Sequence, residues 1–297
     1  MGRILLIFIF VSFRAWGGSC CGQVPTSFTV LSQEQPLSVL ASYSLSETEG
    51  RVFNSDDFYV WSDKERVIQT YQLGLAGSLF YRHQIFFNTS LQQGKYSDPG
   101  GAGVSQHLSD TQVGYTYETL PEYSFSYWKP IVYFSLIGNL PTGKSAYEKS
   151  DLSEGADVTG YNQWGLGLGV TLRKVYFPLT LTLQVKTLKL FSKQFESVQV
   201  SDFYDHSVAF LSNYVTRFYD IGFNLGVTFH QISERKVSTV NQPSGVSQST
   251  TVLLGLQKVL TDAWSGGVTY ADETLLGRPR NTVLNKTYSL YFNYSYF

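Results

Sequence analysis

A strict two-residue alternation of apolar and polar side chains runs through most of this 297-residue chain. The clearest example sets Phe177, Leu179, Leu181, Leu183 and Val185 against Pro178, Thr180, Thr182, Gln184 and Lys186. A helix of 3.6 residues per turn cannot bury such a set on one side, whereas an extended strand places alternate residues on opposite faces. The pattern therefore restricts the chain to strands with two chemically different faces.

The composition agrees with an all-β fold and excludes several functional classes. Aromatic residues make up 16% of the chain beside 26 glycines and a single methionine, a mixture that favours strands and tight turns over helical bundles. A net charge of -1 gives no electrostatic reason to expect a nucleic-acid partner. A mean hydropathy of -0.09 excludes a polytopic helical membrane protein, but it is typical of a membrane barrel whose two faces average out.

The alternation predicts about twelve strands, within a range of 10 to 14. Their spans are 37–46, 66–79, 83–93, 108–118, 128–139, 161–173, 176–189, 204–213, 217–230, 248–260, 264–271 and 284–297. Most are close to the length that a tilted strand needs to cross a bilayer. Short connections at 80–82, 174–175 and 261–263 alternate with long ones at 47–65, 94–107, 140–160, 190–203, 231–247 and 272–283. We therefore predict a single antiparallel transmembrane β-barrel over 37–297, with tight periplasmic turns and long outer loops.

A soluble β-sandwich or a lipocalin-like barrel is the alternative, because both also alternate apolar and polar residues. The polar face here is mostly Gly, Ser, Thr, Asn and Gln with few charges, which suits a confined lumen better than a solvated surface. Aromatic residues crowd the predicted strand ends, as at 123–128, and this is typical of interfacial girdles. The aromatic last strand ends at Phe297 and resembles the terminal signal of bacterial outer-membrane barrels. That resemblance implies recognition by the barrel assembly machinery.

The first 21 residues have the features of a secretory signal peptide. Arg3 precedes an apolar run of about ten residues, which is too short to span a bilayer, and small residues follow before Cys20 and Cys21. Gly18-Ser19-Cys20 resembles a lipobox, except that Gly17 stands in place of the usual aliphatic residue. We expect an unmodified start beyond Cys21, and the alternative, which the resemblance implies, is lipidation of Cys20. We expect residues 22–36 to form a periplasmic segment, which either enters the lumen as a plug or pairs as an additional strand.

The residues that normally carry catalysis form no convincing set. The four histidines have no metal-ligand spacing, so we predict neither a metal site nor a cofactor. His107-Leu108-Ser109 resembles the His-x-Ser pair of outer-membrane phospholipase A, but 110–118 lacks the asparagine motif of that family. Gly143-Lys144 has no glycine-rich stretch before it and is not a phosphate loop. We predict a protein that is not an enzyme, with a barrel hydrolase as a remote alternative.

One region carries a family resemblance. The strand end Leu140-Pro141-Thr142-Gly143, followed by a loop and the glycine-alternating run 164–169, resembles the outer-membrane proteins of the MetA-pathway of phenol degradation family. The resemblance implies a barrel that admits small, hydrophobic or aromatic molecules. It implies no catalytic residue.

The inward face supplies the candidate site residues. Strand alternation places polar groups of both charge signs in the lumen: Arg173, Gln184, Lys186, Asp220, Asn224, Thr228 and His230. These side chains either line a path for a solute or pair with one another and seal the barrel. We predict passive passage of small molecules across the outer membrane, with outer-membrane lipids and a small solute as partners. A structural or adhesive barrel that acts through loops 94–107, 140–160 and 231–247 is the alternative.

Overall fold

The computed structural model describes residues 30–31, 35–53, 59–61, 65–98, 101–122, 124–148, 157–196, 198–216, 220–238 and 244–296. The predicted signal peptide, Cys20 and Phe297 lie outside the described residues. These ranges contain sixteen strands: β1 (Leu37–Val52), β2 (Tyr59–Trp61), β3 (Glu65–Phe80), β4 (His83–Asp98), β5 (Gly101–Leu108), β6 (Thr111–Leu120), β7 (Ile131–Leu140), β8 (Gly165–Tyr176), β9 (Leu179–Leu190), β10 (Lys193–Phe195), β11 (Val198–Val200), β12 (Phe203–Val215), β13 (Ile221–Ile232), β14 (Ser247–Val259), β15 (Trp264–Asp272) and β16 (Thr282–Tyr296).

Twelve of these strands close into one antiparallel barrel. The circuit runs β1, β3, β4, β6, β7, β8, β9, β12, β13, β14, β15 and β16, each paired with the next. Strand β16 returns to β1 and pairs from Leu37 opposite Tyr296 to Val52 opposite Thr282. Closure leaves no unpaired edge in the circuit. The prediction of an all-β, twelve-stranded antiparallel barrel is confirmed.

The remaining strands lie in segments that alternation predicted as loops. Strand β2 pairs with the end of β1, and β5 pairs with the outer part of β4, where Leu91 is opposite Leu108. Strands β10 and β11 form a separate hairpin. The turn predicted at 174–175 is displaced to 177–178, because β8 and β9 stay paired as far as Tyr176 and Leu179. Alternation marks faces, but the ladder of backbone hydrogen bonds decides where a strand ends.

The outer surface of the barrel is an apolar band. Large apolar side chains stay exposed on every barrel strand, among them Leu73, Phe134, Leu168, Phe210 and Leu225. An apolar surface that extends around a whole closed barrel is suited to contact with the hydrocarbon chains of a bilayer. Within the described ranges, no helix has the length and apolar character that a membrane crossing requires.

Aromatic residues and one lysine stabilise the connection between β6 and β7, at the end of the barrel that carries the short turns. The Lys174 ammonium lies 2.5 Å from Glu122 Oε1 and donates to the Lys129 carbonyl at 3.1 Å. The same ammonium lies 5.0 Å from the ring centre of Phe125 and 5.7 Å from that of Tyr176. The arrangement combines an ion pair with cation–π contacts at the depth expected of an interfacial girdle.

This ion pair leads to a pH-dependent expectation. The Lys174 ammonium lowers the pKa of the Glu122 carboxyl below its usual 4.5, so the pair stabilises the fold above that pH and stops doing so as the carboxylate protonates. Glu122→Gln should therefore cost roughly 1–2 kcal/mol at pH 7 and almost nothing well below pH 4.5. Urea unfolding in detergent at both pH values, followed by tryptophan fluorescence, measures the difference; an equal cost at both would contradict it.

Candidate functional site

The lumen holds a cavity of about 590 Å³ in the half of the barrel nearer the long loops. Twenty-one of its 32 lining residues are Ser, Thr, Asn or Gln. They come from strands all around the circuit, including Ser44, Gln72, Asn88, Thr251 and Thr287. The inward face of each strand supplies these groups because its alternate positions are small and polar. Most side chains around the cavity can therefore form hydrogen bonds with its contents.

The carboxylates that line the cavity interact with neighbouring side chains and backbone groups. His230 Nε2 lies 2.9 Å from Asp205 Oδ1, and Lys186 is close enough to Asp205 to interact with it electrostatically. Just beyond β15, Glu273 accepts from the Asn285 backbone N–H at 2.9 Å and from its side-chain Nδ2 at 3.1 Å. Burial raises the pKa of the Glu273 carboxyl. Both carboxylates therefore already accept hydrogen bonds from neighbouring residues.

Four of the seven residues that the sequence analysis placed in the lumen line this cavity, namely Gln184, Lys186, Thr228 and His230. Two others face inward nearer the short turns: Arg173 is buried there, and Asn224 Oδ1 accepts from Asn213 Nδ2 at 2.5 Å. Asp220 is different, because it lies in the turn before β13, is exposed, and has a left-handed backbone with a φ of 49°. The prediction that Asp220 lines the lumen is therefore wrong, because β13 begins only at Ile221 and the alternation does not hold in the turn before it.

Sequence reasoning missed most of the cavity wall. The missed residues include the serines, threonines and amides of β1, β3, β4, β14, β15 and β16, together with Asp205 and Glu273. The strand residues among them carry the same alternation as the β9 and β13 residues.

The connection between β7 and β8 folds over the cavity and is held there by Asp110. The Asp110 carboxylate accepts from the backbone N–H of Gly143 at 2.9 Å, of Tyr161 at 2.7 Å and of Asn162 at 3.2 Å. Asp110 and Tyr161 also line the cavity. A carboxylate that accepts several backbone amides forms a strong, directional anchor. We call Asp110 and the segment 141–144 with 157–162 the roof.

Hydroxyl groups close the remaining gaps in the roof. Thr142 Oγ1 donates to the Ser109 carbonyl at 2.6 Å, and Thr159 Oγ1 donates to the Leu108 carbonyl at 2.6 Å. A Cβ added at Gly143 would lie 2.8 Å from Asp110 Oδ1, and one at Gly160 would lie 2.7 Å from its Cγ. Only glycine permits this close approach. The Pro-Thr-Gly run that sequence analysis singled out therefore docks the roof onto Asp110.

An apolar cluster supports the roof from the side of the β10–β11 hairpin. Its buried members are Leu188, Leu190, Phe195, Val200 and Phe203. The roof joins this cluster through Tyr161, whose ring centre lies 5.2 Å from that of Phe203. Burial of this cluster adds hydrophobic stabilisation to the polar anchor at Asp110.

The segment that precedes β1 enters the barrel from the opposite end. Leu31 is only 1% exposed and packs among the inward-facing Ala76, Phe86 and Ile137. The Leu31 N–H donates to Gln84 Oε1 at 2.8 Å, and Gln84 Nε2 donates to the Leu31 carbonyl at 3.0 Å. One glutamine thus satisfies both backbone groups of a residue inside the lumen. We call Leu31 with its three apolar neighbours and Gln84 the floor.

The hydrolase alternative gains no geometric support. Ser109 is buried, and its hydroxyl lies 2.5 Å from Ser90 Oγ and 3.2 Å from the Ser90 carbonyl. These contacts engage the serine with β4 and the roof. Among the residues that the structure describes, no three His, Cys, Asp or Glu side chains form a group that can hold a metal ion.

Comparison with known proteins supports the architecture. No family model matches the chain, and no curated protein does. The fold is similar to that of an outer-membrane channel from Pseudomonas putida F1, with a TM-score of 0.72 and 15% identity over 92% of this chain and 100% of that chain. The transport unit of the autotransporter AIDA-I from Escherichia coli has a TM-score of 0.49 and 11% identity, over 91% of this chain and 94% of that chain. At these identities the likeness concerns the fold, and the MetA-pathway resemblance stays a prediction.

Proposed function

We propose that this protein is an outer-membrane channel for small molecules and that the structure is its closed state. The observation that carries the proposal is a 590 Å³ polar chamber on the axis of a membrane-type barrel, between a roof and a floor built from separate segments. A barrel that served only as a scaffold has no need for such a chamber, because cross-lumen pairing and packing can fill the space. The coupling of solute flow to an ion or nucleotide is not required.

Passage needs displacement of the floor and the roof. The floor is held by the apolar contacts of Leu31 and two hydrogen bonds to Gln84. The roof is a loop held by the Asp110 carboxylate, two threonine hydroxyls and the contact of Tyr161 with Phe203. Both are attached to the barrel by local contacts that a loop or terminal segment can break without unpairing the ladder. In this proposal, the acyl chains of outer-membrane lipids contact the apolar band on the outside of the barrel. Recognition of the last strand by the barrel assembly machinery stays a prediction, since Phe297 lies outside the described residues.

The channel is tested by swelling of proteoliposomes in isotonic solutions of small neutral solutes. We expect swelling above that of protein-free liposomes, and Thr228→Trp should reduce its rate severalfold because the indole fills the chamber. The matched control is Val227→Trp, since this neighbour on β13 faces the lipid, beside the outward Phe210 and Val252. No solute entry above the lipid background, under conditions where the barrel is folded, would contradict the channel and favour the sealed or adhesive alternative.

A further inference from the structure

We infer that the chamber is a binding site for small uncharged polyhydroxylated solutes, such as polyols and monosaccharides. This inference rests on the proposed function and names the class of solute that the channel takes. It differs from the hydrophobic or aromatic solutes that the sequence resemblance implies.

Side chains that can hydrogen bond outnumber apolar ones in the wall of the chamber. Apolar side chains contribute Leu188, Leu253, Ala209 and Ala271, and the aromatic contribution among the described lining residues is Tyr161. Every other lining group except Gly160 is a hydroxyl, an amide, a carboxylate, the Lys186 ammonium or the His230 imidazole. An aromatic hydrocarbon placed here would displace water from these groups without replacing its hydrogen bonds. A polyol replaces those bonds with its own hydroxyls.

Hydroxyl groups in the wall keep capacity for a ligand even where they pair with each other. Ser46 Oγ lies 2.8 Å from Thr287 Oγ1, and both residues line the cavity. Each hydroxyl has one donor and two acceptor sites, so a pair of this kind uses a fraction of its total. A solute with several adjacent hydroxyls can donate to one member of such a pair and accept from another.

Charge and volume narrow the solute further. Asp205 is bonded to His230, Glu273 to Asn285, and Asp110 to the roof amides, so the acidic groups of the wall are already engaged. A cationic solute would meet carboxylates that are committed elsewhere, and an anionic solute would meet three carboxylates against the single Lys186, whereas a neutral solute is not penalised. At about 590 Å³ the chamber lies within the range of small-molecule sites and exceeds the volume of a six-carbon ring solute with its first waters.

The test compares two six-membered-ring polyols with an aromatic six-membered-ring solute of low polarity. Ligand-observed saturation-transfer NMR on the whole detergent-solubilised protein measures binding of myo-inositol and glucose against phenol. We expect saturable binding of the two polyols and at least about tenfold weaker saturable binding of phenol, which is the effect of one or two unmade hydrogen bonds. Phenol that binds as tightly as inositol, or polyols that do not bind, would overturn the inference.

A matched pair of variants places the binding in the chamber. Ser207 lines the cavity beside Lys186 and His230, so Ser207→Leu should abolish polyol binding. Ser212 on the same strand faces outward between Leu181 and Leu225, and Ser212→Leu should leave binding unchanged. Equal binding by both variants would mean that the polyols bind elsewhere, and the inference fails.

Binding and passage are measured separately, so the two proposals fail separately. If polyols bind in a way that Ser207→Leu abolishes but proteoliposomes do not swell, the channel proposal fails and the binding site stands. If proteoliposomes swell but phenol binds more tightly than the polyols, the channel proposal stands and the polyol site fails.

Discussion

Leu31→Asp should increase the fraction of time for which the barrel conducts, because it releases one of the two segments that close the lumen. A carboxylate at this position would be buried against Ala76, Phe86 and Ile137, and burial of an unpaired charge costs several kcal/mol. Val30 also packs against this cluster, but Leu31 is the fully buried residue of the segment, so the segment should leave the lumen while the twelve-strand ladder stays intact. In planar bilayers, we expect an increase of about tenfold or more in the fraction of time spent open, the change that a difference of 1.4 kcal/mol already produces.

Two further variants make this prediction specific to the floor. Leu31→Met keeps an apolar side chain of similar volume and should stay closed. Gln84→Leu removes the partner of both Leu31 backbone groups, which costs about 1–3 kcal/mol for each buried group left unsatisfied, so it should open the channel in the same direction. An unchanged open fraction in both Leu31→Asp and Gln84→Leu would show that Leu31 does not close the lumen.

Asp110→Ala should release the roof from the outer end. The substitution leaves three backbone N–H groups without their acceptor, each of which had a charge-assisted hydrogen bond worth about 1.5–3 kcal/mol. Undocking should expose the peptide bond after Lys144, which is otherwise held by an ion pair with Asp157 and by the Thr159 hydroxyl. Trypsin applied to proteoliposomes should cleave there at least about tenfold faster than in the parent protein, as judged by mass spectrometry.

The control for the roof is an acidic residue on the same rim that makes no contact with the roof in the interactions described above. Asp202 pairs with Lys189 at 2.9 Å, but both side chains are exposed, and such pairs contribute little. Asp202→Ala should therefore leave cleavage at Lys144 unchanged. Equal acceleration in Asp110→Ala and Asp202→Ala would mean that the loop responds to rim charge and that Asp110 does not anchor it.

Strand alternation identified twelve spans that all correspond to barrel strands, because each strand reports its two faces within its own residues. It failed at strand ends and at strands that leave the barrel. Asp220 continued the pattern of β13 but sits in a turn, and β5 was assigned to a loop although it pairs with the outer part of β4. Both errors have one cause: a hydrogen-bonded partner, not a side-chain pattern, decides whether an extended segment is part of a sheet.

Part of the candidate site could be predicted from the side-chain pattern and part depended on long-range hydrogen bonds. The polar wall of the chamber follows from alternation, and the sequence analysis found Gln184, Lys186, Thr228 and His230 in this way. The roof and the floor did not follow from it. Asp110 binds amides that lie 33 to 52 residues further along the chain, and Leu31 binds a glutamine 53 residues away.

By itself, the sequence determined that this chain forms two-faced strands, that there are about twelve of them, and that their inner face is polar with few charges. Only the tertiary structure decided that a roof and a floor lie across the lumen, because their anchors include backbone N–H and C=O groups, which nearly every residue type carries. Such groups leave no mark in a sequence until the fold brings Asp110 and Gln84 to them.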